Sequence, residues 1–493
     1  MSSQKRYFKG STDGKAPFSG DPLAGARSRY DVIVVGSGLG GLTAAAVLSR
    51  AGRSVLLLEQ HYNLGGLATW FKRRGGHVFD VSLHGFPSGM RKTCRKYWSQ
   101  ALADRVVRLD GIRFDNPQFA FDTEFTRDDF TRKLVDVLRV PRAAVNGFYA
   151  ELARMDFHAE TGETTGELFE RHFPGRNDVH RLLLEPISYA NGSTLDDPAI
   201  SYGIVFGNFM KDGVFTFEGG TDRLIRDMKA ELEARGVDVR ARVQVERILV
   251  EHGRVSGVLA QGRAIACDAV VSNASLRATV LDLVGREHFA PEFTAGVEAV
   301  RLNTSSTQVY LGVRAGQRLP FVTDLLFTST RPTFSSEALC DHVGESVTFS
   351  FYYPKTRPGG GDRFTIVGSR NARWSDWAQL DPGAYEREKQ RLVDDTLARL
   401  ERYVPGAAAQ IEHAEAATPR TFHFYTQSPS GTSFGTKFEG LKPSMTLHEQ
   451  VRGLHHAGSV GIIMSGWLGA ANYGAIVANK VDAWLASLVE VTS

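Results

Sequence analysis

Three glycines follow a short apolar run at the spacing that phosphate binding requires. The run covers residues 31–35 (DVIVV), and Gly36, Gly38 and Gly41 come directly after it. Glycine at the first position permits a tight turn, at the second lets backbone approach a pyrophosphate, and at the third allows a helix to pack closely on a strand. Phosphates would then meet the N-terminus of that helix, where unpaired N–H groups favour negative charge. The spacing therefore predicts a dinucleotide cradle.

An acidic residue lies where the ribose hydroxyls of a bound dinucleotide are expected. Glu59 directly follows the next apolar run, residues 54–58 (SVLLL), and its carboxylate can accept hydrogen bonds from both hydroxyls. Beyond it, Gly65, Gly66 and Ala68 would let backbone pass beside the pyrophosphate from the other side. An NAD enzyme has no evident use for this second glycine pair, so we expect FAD; the alternative is that the pair forms a plain turn.

The elements that position these residues can be read from the surrounding pattern. Residues 31–35 predict a buried strand, residues 42–50 (LTAAAVLSR) a helix that ends at a glycine, and residues 54–58 a second buried strand. Together they form one βαβ unit. Further along, the pattern predicts an amphipathic helix at 221–234, a hairpin of strands 244–251 and 254–260 around His252 and Gly253, and a short strand at 269–272.

The rest of the chain predicts a second unit. From 301 to 442, β-branched and aromatic runs alternate with one helical stretch at 384–403, which indicates a mostly antiparallel sheet with helices. The end returns to α/β, with a helix predicted at 475–488. The fold class is therefore α/β: a discontinuous Rossmann-type FAD-binding domain and a second, substrate domain. We expect a flexible lead-in at 1–29, FAD-binding parts at 30–117, 218–300 and 443–493, a substrate or helical region at 118–217, and the substrate domain at 301–442.

Composition excludes several classes of function. A net charge of +3 over 493 residues is too small to indicate a nucleic-acid partner. Cys94, Cys267 and Cys340 have neither metal-ligand nor disulfide spacing, so we expect reduced thiols in the cytoplasm and no metal site. The sequence contains no apolar run of about 18 residues, so we expect no membrane-spanning helix. Residues 1–29 are polar, so a signal peptide is not expected.

Several blocks, in order, resemble one family. The run LLLEQHYNLGGLATWFKRRGGHVFD resembles the opening of the phytoene desaturase, carotenoid isomerase and retinol saturase family of FAD-dependent oxidoreductases. FEGGTDRLIRDMKAELEARGVDV, ARVQVERILVEHGRVSGV, CDAVVSNAS and TPRTFHFYTQSPSGTSFG resemble later blocks of that family. GLHHAGSVGIIMSGWLGAANYGAIVANKVDAW resembles its closing flavin motif.

This resemblance implies a set of FAD contacts. It places Gly36, Gly38, Gly41, Glu59, Gly65, Gly66 and Ala68 against the cofactor. It adds the backbone of Val245 at the adenine and Gly458 with Ser459 beside the ribityl phosphate. It also implies that Tyr473, Gly474 and Ala475 lie near the isoalloxazine ring.

The resemblance implies desaturation of a long apolar unsaturated lipid chain. The amino-acid sequence departs from carotenoid desaturases at two places: after Asp80 (VSLHGF) and in MSGWLGAANYGA, which lacks the usual prolines. A fatty-acyl substrate is therefore as compatible with the sequence as a polyene. Isomerisation or saturation of a double bond is one alternative. A non-redox lipid escort resembling Rab GDP-dissociation inhibitors is another.

Other residues are candidates for contact with a lipid or its membrane. His84 follows Asp80 and is the candidate for meeting substrate or flavin; a hydrogen-bonded core histidine is the alternative. The aromatic stretches 201–217 and 349–353 could line a tunnel or simply form core. Arg91, Lys92, Arg95 and Lys96, with Tyr97 and Trp98, could dock a membrane surface or form a solvated helix face. We therefore expect peripheral membrane association and no spanning helix.

Overall fold

The computed structural model describes residues 20–155, 162–317, 319–341, 344–353 and 365–492. The part of the expected lead-in up to residue 19 lies outside the described residues. The first strand already begins at Arg29.

The described strands have these bounds: β1 Arg29–Val35, β2 Val55–Glu59, β3 Trp70–Lys72, β4 Val78–Asp80, β5 Phe86–Pro87, β6 Val106–Arg108, β7 Ile112–Asn116, β8 Phe119–Thr123, β9 Val214–Phe217, β10 Asp238–Ala241, β11 Val245–Glu251, β12 Arg254–Ala260, β13 Arg263–Ser272, β14 Ser305–Val313, β15 Leu325–Ser329, β16 Ser346–Tyr352, β17 Thr365–Ala372, β18 Ile411–Ala417 and β19 Leu454–His456.

The described α-helices have these bounds: α1 Leu39–Arg50, α2 Gly89–Tyr97, α3 Gln100–Asp104, α4 Arg127–Arg132, α5 Arg142–Leu152, α6 Thr165–His172, α7 Asn177–Asn191, α8 Ala199–Met210, α9 Gly220–Ala234, α10 Pro291–Ala299, α11 Ser375–Ala378, α12 Pro382–Leu400, α13 Ala407–Gln410, α14 Pro419–Thr426, α15 Leu441–Met445, α16 Leu447–Gln450 and α17 Gly466–Thr492.

The first sheet is built from sequence-distant strands around β1. Its order is β10-β2-β1-β13-β12-β11, and β19 pairs with β13. β1 pairs in parallel with β2 on one side and β13 on the other. The chain therefore leaves β1 toward one neighbour and later returns to the other side. This switch point opens a crevice beyond the carboxyl end of β1, where open α/β sheets bind ligands.

The predicted elements of this sheet are present. β1 and β2 are almost wholly buried, as their apolar runs predicted. The hairpin between β11 and β12 turns at His252 (φ 52°) and Gly253 (φ 71°), consecutive positive φ angles that match the right-handed twist of a tight hairpin. Helix α9 buries its predicted apolar face. The fold is thus mixed α/β, with the cofactor unit assembled from separate pieces of the chain.

The second sheet has the order β18-β14-β17-β16-β15-β7-β8. Its pairs are antiparallel except for β15 with β7, which is parallel. Strands β7 and β8 come from residues 112–123, ahead of the 301–442 segment that was expected to form the sheet alone. The pairing of β7 with β15 fixes this early hairpin at the sheet edge.

The last helix begins earlier than its sequence predicts. We expected it at 475–488, but α17 starts at Gly466. Gly469 and Gly474 made the segment resemble loops, yet both serve close packing: an added Cβ would lie 2.2 Å from the Ile463 carbonyl oxygen and 2.1 Å from that of Gly40. Glycine therefore lets α17 cross α1 at short range.

Candidate active site

The glycine loop between β1 and α1 is packed too tightly for side chains. Gly36 has φ 95°, and an added Cβ at Gly38 would lie 2.5 Å from Oδ1 of Asn273. At Gly41 a Cβ would lie 2.1 Å from the Gly36 carbonyl oxygen. Gly41 thus serves the contact between helix and strand, as its position in the motif predicted. The loop leaves backbone, not side chains, at the N-terminus of α1.

The second glycine pair lies directly against this loop. Gly65 (φ 109°) donates its N–H to the Ser37 carbonyl at 2.9 Å, and Gly38 and Gly65 form an isolated parallel bridge. At Gly66 (φ 61°) an added Cβ would lie 3.0 Å from the Cα of Gly38. Two bare backbone segments therefore face one another at the carboxyl end of β1.

Glu59 is buried and held by donors on both carboxylate oxygens. Its Oε2 accepts from the Ser37 N–H (2.8 Å) and hydroxyl (2.6 Å), and its Oε1 accepts from the His61 N–H at 2.8 Å. Burial raises the pKa of this carboxyl above its ordinary value, although the bonds from Ser37 and His61 oppose the shift. These bonds fix the carboxylate at the end of β2, where it lines the cavity described next.

One cavity of about 1200 Å³ joins the glycine loop to the second sheet. Ligand pockets in proteins typically measure roughly 300–1,000 Å³, so this cavity has room for a dinucleotide and a second ligand. The expected cofactor residues that line it are Gly36, Gly38, Glu59, Gly65, Gly66, Ala68, Val245 and Ser459, together with His84.

The remaining expected residues lie just behind the cavity wall. Gly458 precedes the lining residue Ser459, and a Cβ there would lie 2.3 Å from the Ala274 carbonyl oxygen. Tyr473, Gly474 and Ala475 lie inside α17, where the Tyr473 hydroxyl is 2.6 Å from Oγ of Ser444. The residues of α17 that line the cavity are Gly466, Trp467 and Ala470, one to two turns earlier.

Asn273 is a site residue that the motifs did not single out. Its backbone N–H donates to the Val35 carbonyl at 2.7 Å, and its Nδ2 donates to the Ala457 carbonyl at 2.6 Å. It therefore ties the ends of β1, β13 and β19 together behind Gly38. Its position directly after a buried parallel strand was the available signal.

The aromatic lining of the cavity comes from scattered positions. The aromatic residues of the lining include Trp70, Phe71, Tyr189, Tyr310, Phe422, Phe434 and Trp467. Trp467 also donates its indole N–H to the Ser82 carbonyl at 3.1 Å. A wall of this kind suits an apolar ligand.

The stretch 201–217 packs elsewhere. Tyr202 and Phe206 of α8 are buried against Phe148 and Phe169 in the helical core. Phe349 and Phe351 lie in the core on the far side of the second sheet. These aromatic residues therefore stabilise the fold instead of lining a tunnel.

The basic patch lies on α2. Arg91, Lys92, Arg95 and Lys96 are exposed, but Tyr97 is half-buried and Trp98 is buried. The exposed aromatic residues of the cavity lining are Phe424 (44%) and Tyr425 (42%), on α14.

His84 reaches from its loop to the second sheet. Its Nδ1 lies 2.9 Å from the Ser350 hydroxyl, and its Nε2 lies 3.3 Å from the amide nitrogen of Gln308. Burial lowers the pKa of His84 to about 4, with Asp80 opposing the shift, so the imidazole is neutral near pH 7. The histidine is both hydrogen-bonded and in contact with the cavity.

The cradle fits FAD by its shape and donors. A Cβ on Gly66 would lie 3.0 Å from the Gly38 Cα and close the gap between the two glycine segments, and Glu59 is a buried acceptor beside this gap. Within the described ranges, no group of three His, Cys, Asp or Glu side chains could hold a metal ion. No helix in the same ranges is long and apolar enough to span a membrane.

Comparison with known proteins agrees with this geometry. Residues 39–459 match the family described as flavin containing amine oxidoreductase. Prolycopene isomerase from Daucus carota is 25% identical over 82% of this chain and 72% of its own. All-trans-retinol 13,14-reductase from Homo sapiens is 22% identical over 83% and 77%, and phytoene desaturase (lycopene-forming) from Pseudescherichia vulneris is 29% identical over 82% and 88%.

Solved structures share the architecture. An oxidoreductase from Methanosarcina mazei superimposes with a TM-score of 0.63 at 17% identity, covering 91% of this chain and 99% of its own. Cyclohexylamine oxidase from Brevibacterium oxydans gives 0.63 at 15% identity, covering 94% and 99%. At such identities the likeness shows the fold.

Proposed function

The chain belongs to the family of flavin containing amine oxidoreductases and is an FAD-dependent oxidoreductase, and from this premise we propose that it desaturates a long, apolar, unsaturated lipid chain. The observation that carries the proposal is the cavity that joins the glycine cradle to an aromatic wall. A carotenoid-type polyene and a fatty-acyl chain both fit such a wall.

When bound, FAD would accept a hydride equivalent from a carbon–hydrogen bond. The chain's own residues bind the cofactor and orient the lipid. We assign cofactor contacts to the lining residues Gly36, Gly38, Glu59, Gly65, Gly66, Ala68, Val245 and Ser459. Gly41, Gly458 and Gly474 contribute indirectly, because they permit the close backbone packing that holds the lining residues in place.

The aromatic wall orients an apolar chain and excludes water. Trp70, Phe71 and Trp467 come from the segments after β2 and at the start of α17, so they converge beside the cradle. Burial of a hydrocarbon chain there yields about 0.8 kcal/mol per CH₂. Hydride removal needs chiefly the apposition of one C–H bond to the acceptor, so positioning is the main contribution of the protein.

The relatives support a polyene or retinoid-like substrate and are compatible with three reactions. The names of these relatives give isomerisation, reduction and desaturation as their activities. Double-bond isomerisation and saturation therefore remain the alternatives to desaturation in the same cavity. Family membership and the intact glycine cradle argue against the lipid-escort alternative, because a carrier without redox chemistry does not need a flavin cradle.

We further propose peripheral attachment to a membrane surface through the cavity rim. Phe424 and Tyr425 are exposed and belong to the cavity lining, whereas in the basic patch Trp98 is buried and Tyr97 is half-buried. An apolar chain could then pass from the bilayer into the cavity without crossing water.

Lipid extracts test the proposal. Cells that produce the wild-type protein are compared with cells that produce a Gly38→Val variant, whose cradle is blocked, by mass spectrometry of total lipids. We expect a lipid two hydrogens lighter in the wild-type extract alone. Identical extracts would contradict the proposed activity.

A further inference from the structure

The face of the second sheet that forms the cavity wall is polar. On β14, Ser306 and Gln308 line the cavity, whereas Val309 and Leu311 lie in the core on the opposite face. On the neighbouring β17, the cavity residue Ser369 pairs with Gln308 in the ladder. Alternation along the strands therefore brings polar side chains to one face, side by side.

The partners of His84 assign the donors and acceptors of this wall. The Tyr310 hydroxyl donates to Oε1 of Gln308 at 2.7 Å, which leaves the Gln308 amide nitrogen as the donor to Nε2 of His84. His84 then carries its proton on Nδ1 and donates it to the Ser350 hydroxyl. The Ser369 hydroxyl lies 3.4 Å from Nε2 of the same ring. Each amide nitrogen has two protons, so Gln308 has a second N–H to offer.

A purely hydrocarbon ligand would be a poor match for this wall. Covering a hydrogen-bonding group with an apolar surface, without a replacement partner, costs about 1–3 kcal/mol. The wall therefore favours a ligand that has at least one oxygen at this place.

The charges around the wall favour a neutral oxygen group over a carboxylate. Arg370 and Arg73 line the same cavity, but Arg370 pairs with Asp395 at 2.5 Å and Arg73 pairs with Glu415 at 2.7 Å. Both guanidinium groups of the lining are thus already held by a carboxylate, which Arg370 shares with Arg399. The imidazole of His84, neutral near pH 7, adds no positive charge.

We propose that the wall formed by His84, Gln308 and Ser369 binds a hydroxyl or carbonyl group at one end of the substrate. This specificity rests on the proposed function, because it presupposes a long apolar chain in the cavity. The substrate class is then an oxygenated isoprenoid or acyl chain, such as an alcohol or aldehyde, with its hydrocarbon part against the aromatic wall. The reacting bond need not involve the oxygen itself.

Ligand pairs that differ only in the oxygen test the assignment. Geranylgeraniol and the hydrocarbon of the same skeleton are titrated into the flavin-loaded protein in identical micelles, and binding is read from the change in flavin absorbance. We expect the alcohol to bind the wild type about tenfold more tightly, the value of one hydrogen bond to a buried donor.

Variants locate the effect. Gln308→Leu and, if it folds, His84→Phe should abolish the tenfold preference while the hydrocarbon binds as before. The matched control is His448→Phe, since His448 stacks on His455 at 5.2 Å and is not part of the cavity lining. It should keep the preference.

The possible results distinguish failure of the polar-wall assignment from failure of the proposed function. Equal binding of alcohol and hydrocarbon by the wild type would overturn the polar-wall assignment alone. Loss of flavin from Gln308→Leu would assign the wall to the flavin ring and overturn the assignment as well, and so would an unchanged preference in flavin-loaded Gln308→Leu. Failure of both ligands to bind would contradict the proposed function, and the specificity with it.

Discussion

Replacement of Gly38 by valine should expel the flavin and leave the rest of the fold intact. The backbone at Gly38 has φ −60°, which any residue adopts, so the effect is steric and not conformational. An added Cβ would lie 2.5 Å from Oδ1 of Asn273, and Gly66 approaches from the other side. Real Cβ contacts are not that short, so one of these neighbours must move.

Asn273 cannot move without loss. Its Nδ2 donates to the Ala457 carbonyl at 2.6 Å, and breaking a buried bond of this kind costs about 1–3 kcal/mol. Overpacking adds a further 1–3 kcal/mol, roughly. The cofactor-free loop relieves this sum of about 2–6 kcal/mol by shifting, and FAD binding has to restore the original loop geometry, so the FAD affinity should fall by about thirtyfold or more. The two branches of valine enlarge the obstruction beyond that of a single Cβ.

The assay is flavin content, from absorbance near ~450 nm, measured together with the circular dichroism spectrum. The matched control is Gly296→Ala in α10, where an added Cβ meets no described atom within 4 Å. That variant should keep its flavin and gain up to about 1 kcal/mol of stability, because alanine favours helix over glycine. Full flavin occupancy in Gly38→Val with a wild-type spectrum would refute the reasoning.

Three further perturbations have defined outcomes. Glu59→Ala should weaken FAD binding by roughly 1–3 kcal/mol, with Glu59→Asp milder, because it removes a buried acceptor; undiminished flavin after dialysis would argue against this. Burial lowers the pKa of His456 to about 4 from 6.5, so the protein should lose stability as the pH falls below about 6.5, and a melting temperature constant from about pH 7 to 5 would oppose this. Phe424→Ser/Tyr425→Ser should reduce co-sedimentation with liposomes, whereas Phe321→Ser, exposed but not part of the cavity lining, should not; equal losses would remove the rim from the docking surface.

The cofactor cradle was the most predictable part of the molecule. Its residues lie close in sequence, and each glycine is required by a local steric contact that the motif already encodes. Gly41 against Gly36, and Gly65 beside Ser37, are contacts of this kind.

The start of α17 was not predictable from local pattern. Glycine lowers helix propensity, so residues 466–474 suggested loops. The helix forms there because the gap at Gly474 admits the Gly40 backbone of α1, a contact between residues far apart in the sequence. Tertiary packing thus outweighs the local cost of glycine.

The substrate side was the least predictable. The aromatic density of 201–217 suggested a tunnel, yet Tyr202, Phe206 and Phe209 fill the helical core, and Phe215 and Phe217 fill the core around the first sheet. The cavity is lined instead by single residues from many segments, such as Trp70, Tyr189 and Phe434. Only the sheet register, which is set by long-range pairing, places Gln308 beside Ser369 and within reach of His84.

Anaerobic mixing of the flavin-loaded protein with a long unsaturated lipid tests the central claim most directly. Flavin absorbance near ~450 nm is followed while the lipid mass is measured in the same sample. We expect bleaching of the flavin together with formation of one lipid molecule, two hydrogens lighter, per flavin bleached. Bleaching by amines, with every lipid unchanged in mass and double-bond geometry, would contradict it.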